Sequence, residues 1–432
     1  MARISPTLYA RIVGLTLVLI AACSSSSSPG EARPDASAPG ASGAPGYPEA
    51  PAPPLPPVGS GLGAASFASG ELDAASNGGT ITFQNIGAAG WYARVRDPAV
   101  GACDVSQTST CCRGKHDIAS DALTPWDEDL VMTLRGPLTV KQLAVYQPSG
   151  ASGGWSLVSA WDERTKSAAA GLAFEGNATD GAPFGGAVGS ECLVNVSSAL
   201  PFACGPGSDP YCPAPQGGKT WHRGFAGSKL FVVLARMPHA TEIANACSKG
   251  ATTGNWYDAP WVGLSVGELV RAGSFSSCQC YAKDAAKGYL GDGCGQFNVF
   301  EVVNDNNSFK NLDVFSTNFI GYAGYVGEGP CGSKCNPAAW PAALDLVDKS
   351  KNVEASAGAV ASPTKGPGAA FRRPVAGYRY FLVGLDVAKR SVQLGVVHPQ
   401  HVPAALAPIL PALPATLDAA AIDALFTVRL PN

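Results

Sequence analysis

The stretch KLFVVLARM, Lys229 to Met237, is continuously apolar from Phe231 to Ala235. A run of that kind is expected of a strand buried on both faces, as in a two-sheet sandwich. Similar short runs surround it: WSLVSAW (Trp155 to Trp161), APWVGLSVG (Ala259 to Gly267), QFNVFEVV (Gln296 to Val303), YRYFLVGLDV (Tyr378 to Val387) and SVQLGVV (Ser391 to Val397). Upstream, TITFQNI (Thr80 to Ile86) alternates, with Ile81 and Phe83 on one face and Thr82 and Gln84 on the other. WYARV, DLVMTLRG and LTVKQLAVY continue the series between Gly, Pro and Asp turn signals. Many short strands at this spacing suit a sandwich or jelly roll, so the expected class is all-β.

Composition agrees. Of 432 residues only 15% are charged, while 51 Gly and 35 Pro favour turns over long helices. The formal net charge of -3 gives no electrostatic reason to expect nucleic acid as a partner, and none is expected. No repeat of 20 to 50 residues is present. The chain divides into a leader at residues 1–23, a tether at 24–76, a small N-terminal β-domain at 77–148, a sandwich at 149–400 and an Ala/Pro-rich tail at 401–432. Within the tail, Ala415 to Phe426 could form one short helix.

The leader, MARISPTLYARIVGLTLVLIAAC, places Arg3 and Arg11 before an apolar run from Ile12 to Ile20 and small residues before Cys23. That run falls short of the roughly 20 residues of a membrane span and fits a secretory segment. Small residues directly before a cysteine resemble a bacterial lipobox. This gives the expectation of an exported bacterial lipoprotein acylated at Cys23, held to a membrane by that anchor, at the outer membrane or cell surface. An ordinary signal peptide with an incidental cysteine is the plainer alternative. Residues 24 to about 60, rich in Ser, Pro, Gly and Ala, could bury little apolar surface and read as a flexible tether.

Setting Cys23 aside leaves twelve of the 13 cysteines, an even number in an exported chain, so a disulfide framework is the default. Zinc is the rival for Cys278, Cys280, Cys294, Cys331 and Cys335, but paired C-x-x-C spacing is missing, and no metal or cofactor is expected.

Taken in order, TITFQNIGAAGWYARV, LRGPLTVKQLAVYQPSG, WSLVSAWDERTKSAAAGLAFEGN, WHRGFAGSKLFVVLARMPH, CQCYAKDAAKGYLGDGCGQFNVFEVV, FSTNF and FRRP make the chain resemble the fungal cell-wall proteins of the Target-of-SBF type. The resemblance runs from about Gly79 to Val397. It implies a glycine-rich N-terminal domain and a C-terminal domain similar to family 16 glycoside hydrolases, a concanavalin A-like β-jelly roll acting on β-1,3-linked glucan. In the hydrolase relatives the catalytic strand reads E-x-D-x-x-E, with a nucleophile, a supporting Asp and an acid/base. Positions i and i+2 share a face of a strand, whereas i+5 needs a one-residue bulge near Val299 and Phe300 to join them.

In CGQFNVFE, Cys294 to Glu301, this pattern is altered. Gln296 stands at the nucleophile position and Asn298 at the Asp position, while Glu301 keeps the acid/base carboxylate. Asn318, in FSTNF, falls where the resemblance implies a histidine. An amide can hydrogen-bond a hydroxyl but cannot form a glycosyl ester. Trp256, Tyr257 and Trp261 in NWYDAPW could stack on pyranose rings, although sandwich cores also use Trp. The blander alternative for Glu301 is a strand carboxylate satisfied by a Lys, an Arg or a backbone amide. His222 and His239 read as structural, and Asp258, Asp305 and Asp313 as turn residues rather than substitute bases. The resulting expectation is a surface protein that binds β-glucan or a related polysaccharide with impaired catalysis. The alternatives are an active endo-β-1,3-glucanase with an altered mechanism and a structural envelope lipoprotein.

Overall fold

A computed structural model describes residues 55–74, 79–83, 90–96, 106–107, 112–118, 123, 126–150, 153–165, 171–176, 183–204, 211–212, 220–243, 247, 257–272, 283–284, 289–290, 295–302, 315–320 and 373–428. The strands of its two large sheets are, in chain order, β1 (Gly79–Phe83), β2 (Leu130–Arg135), β3 (Leu138–Pro148), β4 (Trp155–Asp162), β5 (Leu172–Glu175), β6 (Leu193–Ser198), β7 (Lys229–Arg236), β8 (Trp261–Val266), β9 (Gln296–Val302), β10 (Phe315–Ile320), β11 (Arg379–Asp386), β12 (Ser391–Val397) and the short β13 (Thr416–Leu417). One sheet has the order β1-β12-β11-β7-β3-β4-β13, with Ala187–Val188 paired to β3. The other has the order β10-β9-β8-β2-β6-β5. The named pairings within both are antiparallel, and the protein is all-β.

The two sheets pack face to face. Leu130, Met132, Leu134, Val262, Leu264, Phe297 and Phe300 of the six-stranded sheet share one buried cluster with Leu143, Val145, Phe231, Val233, Phe381 and Leu394 of the other. The rings of Phe300 and Phe381 meet across the interface at 5.2 Å. Burial on this scale dominates the folding free energy, at roughly 25 cal/mol per Å² of apolar surface removed from water.

The apolar run in β7 is explained by a second cover. Phe231, Val233 and Ala235 face the six-stranded sheet, while Leu230, Val232 and Leu234 face a separate cluster. That cluster contains Leu406, Ile409 and Leu413 and helix α2 (Ala419–Thr427), whose Ala421, Ile422, Leu425 and Phe426 are buried. Asp418 starts the helix by accepting the Ala421 N–H at 2.7 Å, a side-chain N-cap. The tail is thus the outer layer of the eight-stranded sheet.

Residues 55–74, placed by sequence in the tether, lie against the same layer. Val58 donates to Leu157 O at 2.8 Å and Leu62 to Leu413 O at 3.0 Å, and Phe67 and Leu72 pack on the cluster. The expected boundary between residues 148 and 149 falls between β3 and β4, which pair directly, and β1 pairs with β12. Strands from both expected β-domains therefore alternate within the same sheets. A three-stranded sheet of Gly90–Arg96, Cys112–Ile118 and Ser106–Gln107 joins them through Arg94, which pairs at 2.7 Å with Glu268 of α1 (Gly267–Arg271). Disulfides link Cys192 to Cys247 and Cys204 to Cys212, and Cys112 is also disulfide-bonded. Cys23, Cys103, Cys111, Cys278, Cys280, Cys294, Cys331 and Cys335 lie outside the described residues.

Candidate carbohydrate site on the six-stranded sheet

Strand alternation divides the six-stranded sheet into an apolar inner face and a polar outer one. With Leu130, Met132 and Leu134 directed inward, Val131, Thr133 and Arg135 of β2 are directed outward. On the same grounds the outward residues include Asn195 of β6, Trp261 and Ser265 of β8, and Gln296 and Glu301 of β9. This face differs from the outer face of the eight-stranded sheet, which the C-terminal layer covers with apolar side chains.

Gln296 and Glu301 are five residues apart, and a regular strand would send them to opposite faces. The ladder prevents this. Val262 is opposite Phe300 but Gly263 is opposite Asn298, so Val299 is the extra residue of a bulge. The ladder to β10 repeats the shift, with Asn298 opposite Asn318 and Glu301 opposite Ser316. Val299 and Phe300 both enter the core. Gln296 then lies opposite Ser265 and Glu301 opposite Trp261, on one face. Two glycines allow the close approach. Gly295 turns into β9 at φ +76, where a Cβ would also strike the Val266 side chain at 2.7 Å. At Gly263 a Cβ would come within 3.1 Å of Phe297 O and 3.5 Å of the Trp261 ring.

Trp261 is 6% exposed, and its indole Nε1 is a buried donor with no hydrogen-bond partner among the described residues. The Arg135 guanidinium lies 5.2 Å from the centre of its ring and 3.6 Å from Glu301 Oε1. Arg135 also donates to Ala259 O through Nε at 2.9 Å and Nη2 at 2.5 Å. Farther along the face, Thr133 donates to Asn195 Oδ1 at 3.0 Å, and His222 Nδ1 meets Glu175 Oε1 at 2.8 Å. For Asn298 and Asn318 the described part is the backbone, while Trp256, Asp305 and Asp313 lie outside the described residues. Tyr257 occupies the turn before β8, where its carbonyl accepts from the Ser190 hydroxyl.

Asp258 is committed elsewhere. Its carboxylate accepts from Arg373 Nη2 at 2.6 Å and the Ala240 amide at 2.9 Å, and His239 Nδ1 lies 2.8 Å away. Burial alone would raise its pKa. Arg373, with His239 and the Ala240 amide, outweighs burial and holds it below the ordinary aspartate value. Arg373 further donates to Met237 O at 2.7 Å and Pro238 O at 2.6 Å, so this arginine of FRRP ties the segment after β7 to the turn leading into β8. Sequence reading passed over Arg135 and Arg373. The available signal was the outward series Val131, Thr133, Arg135 within DLVMTLRG.

The site is thus a face of a two-sheet β-sandwich on which the Glu301 carboxylate, the Arg135 guanidinium, the Gln296 amide and the Trp261 indole come together. Residues 79–148 match the N-terminal part, and residues 151–328 the C-terminal part, of the family described as cell wall protein YJL171C/Tos1. Together these matches cover more than half of the chain, which belongs to this family. Two relatives are similar along much of their length. A Candida albicans protein named "Probable circularly permuted 1,3-beta-glucanase PGA52" is 24% identical over 55% of this chain and 65% of its own length. A Saccharomyces cerevisiae protein named "Probable circularly permuted 1,3-beta-glucanase YJL171C" is 23% identical over 59% of this chain and 70% of its own. The aligned part therefore spans about two thirds of each relative. No solved structure matches the chain significantly.

These matches correct the expected localisation. The family and both relatives are fungal, and the family is one of cell wall proteins, so the expectation of an exported bacterial lipoprotein at the outer membrane does not stand. No lipid anchor is assigned to Cys23, which lies outside the described residues.

Proposed function

We propose that the chain is a β-1,3-glucan-directed protein of glycoside hydrolase type that binds its polysaccharide and hydrolyses it poorly. Family membership and the names of the two relatives support the glucan. The observation that carries the second half is the arrangement of β9: the bulge brings positions 296 and 301 to one face, and position 296 holds an amide. Retaining hydrolysis requires one carboxylate to attack the anomeric carbon while a second carboxyl group protonates the leaving oxygen. Gln296 cannot form the ester, so that route is closed to the pair of positions 296 and 301.

Binding makes different demands. Glu301 accepts hydrogen bonds from sugar hydroxyls, Gln296 donates and accepts, and the Trp261 N–H supplies a donor that no described residue uses. An unpaired buried donor costs roughly 1–3 kcal/mol, which a ligand oxygen would recover. The test is retention of the purified chain on insoluble β-1,3-glucan, with cellulose as the control. Selective retention with negligible release of reducing ends supports the reading. Rapid release would indicate an active glucanase, and no retention a structural role.

A further inference from the structure

We infer that Arg135 is a positioning residue of this same site, holding Glu301 and Trp261 in the mutual arrangement that a glycan meets. The inference rests on the glucan-binding reading above. Arg135 is in contact with three parts of the site at once. Its guanidinium is 3.6 Å from Glu301 Oε1, 5.2 Å from the centre of the Trp261 ring, and forked onto Ala259 O at 2.9 and 2.5 Å. The planar guanidinium suits this task, because its donors are fixed relative to one another and its face can lie over an aromatic ring.

The support behind it is equally specific. Ala259 follows Asp258, whose carboxylate is held by Arg373, and Arg373 also reaches Asp258 O at 3.3 Å. The Arg373 side chain is fully buried and the Arg135 and Glu301 side chains are each 12% exposed, so water competes little for these bonds. The chain Arg373, Asp258, Ala259, Arg135, Glu301 thus connects three separated segments to one carboxylate on a fourth. It gives FRRP and NWYDAPW a shared role: they fix the carbonyl on which Arg135 rests. The expected ligand is a neutral, hydroxyl-rich glycan. Its hydroxyls donate to a Glu301 carboxylate held in place, and its oxygens accept from the Trp261 N–H.

A double-mutant cycle on the full chain tests this, with laminarin affinity and thermal midpoint measured for each variant. Arg135→Gln is expected to weaken laminarin binding about tenfold in the native background, and less than twofold when Glu301→Gln is already present, because the arginine acts through that carboxylate. Arg135→Lys keeps the charge but cannot fork onto Ala259 O, and about a threefold loss is expected. If Arg135→Gln fails to fold, the same cycle is run with Arg135→Lys. Equal losses in both backgrounds would overturn the positioning role while leaving the binding reading intact. Absence of laminarin binding by the native chain would overturn both.

Discussion

Trp261 and Glu301 lie directly opposite one another on adjacent antiparallel strands, although the sequence around Glu301 would place it on the inner face if β9 were regular. The Val299 bulge makes the pairing possible. It also leaves Trp261, with its buried N–H, paired with Glu301, whose carboxylate lies 3.6 Å from Arg135.

The first prediction concerns that N–H. Trp261→Phe removes a donor that has no acceptor among the described residues, so the stability loss should be limited to lost volume, about 1–2 kcal/mol. Laminarin affinity should fall about five- to tenfold, the value of one hydrogen bond. Titration calorimetry beside a denaturant melt checks both, and unchanged affinity would remove Trp261 from the site.

The second concerns Asp258. Its folded pKa is depressed, so its contribution to stability is present above the ordinary value of 3.8 and is lost as pH falls through the lower folded value. Asp258→Asn should therefore destabilise the protein at pH 7, by about 2 kcal/mol, through loss of the charge partner of buried Arg373. It should also flatten the stability profile below pH 4. Urea midpoints between pH 2 and 7 report this, and parallel profiles for variant and native protein would contradict it.

The third concerns His398, which is 1% exposed and whose Nδ1 accepts the Gln400 N–H at 3.0 Å. The ring must then carry its proton on Nε2, directed at Asp73 O at 3.1 Å. Burial and the nearby Arg379 lower its pKa, with His401 adding to the effect and Asp73 opposing it. A histidine depressed in the folded state contributes stability that is present above its unfolded pKa, near 6.5, and is lost as pH falls through the folded value. The native protein should lose stability across that window, and His398→Gln should lose less. Thermal midpoints from pH 7.5 to 5 provide the comparison.

The core of the fold was legible in β7, because an apolar run without alternation requires cover on both sides. What covers its second face was not. Leu406, Ile409, Leu413, Ile422 and Phe426 are interspersed with Ala and Pro, so their shared face emerges only when the tail folds back on the sheet. The β9 bulge was legible from the spacing of Gln296 and Glu301 against a known pattern. Arg135 was not, since an arginine ending an alternating strand looks like any solvated edge residue and its acceptor, Ala259 O, is 124 positions away. Residues 55–74 were misleading for the same reason as the tail: sparse apolar residues such as Val58, Leu62 and Phe67 count only once a surface exists to receive them.

The central claim is that the amide at position 296, with that at 298, separates binding from hydrolysis. The most direct measurement is reducing-end release from laminarin by the native chain, by Gln296→Glu with Asn298→Asp, and by the same pair combined with Glu301→Gln, with glucan retention followed in parallel. Loss of one member of a coupled catalytic set forfeits on the order of 10⁴-fold in rate. The expected result is therefore retention without appreciable hydrolysis by the native chain, a clear gain in the paired variant, and loss of that gain when Glu301 is replaced. Rapid hydrolysis by the native chain that survives Glu301→Gln would contradict the account.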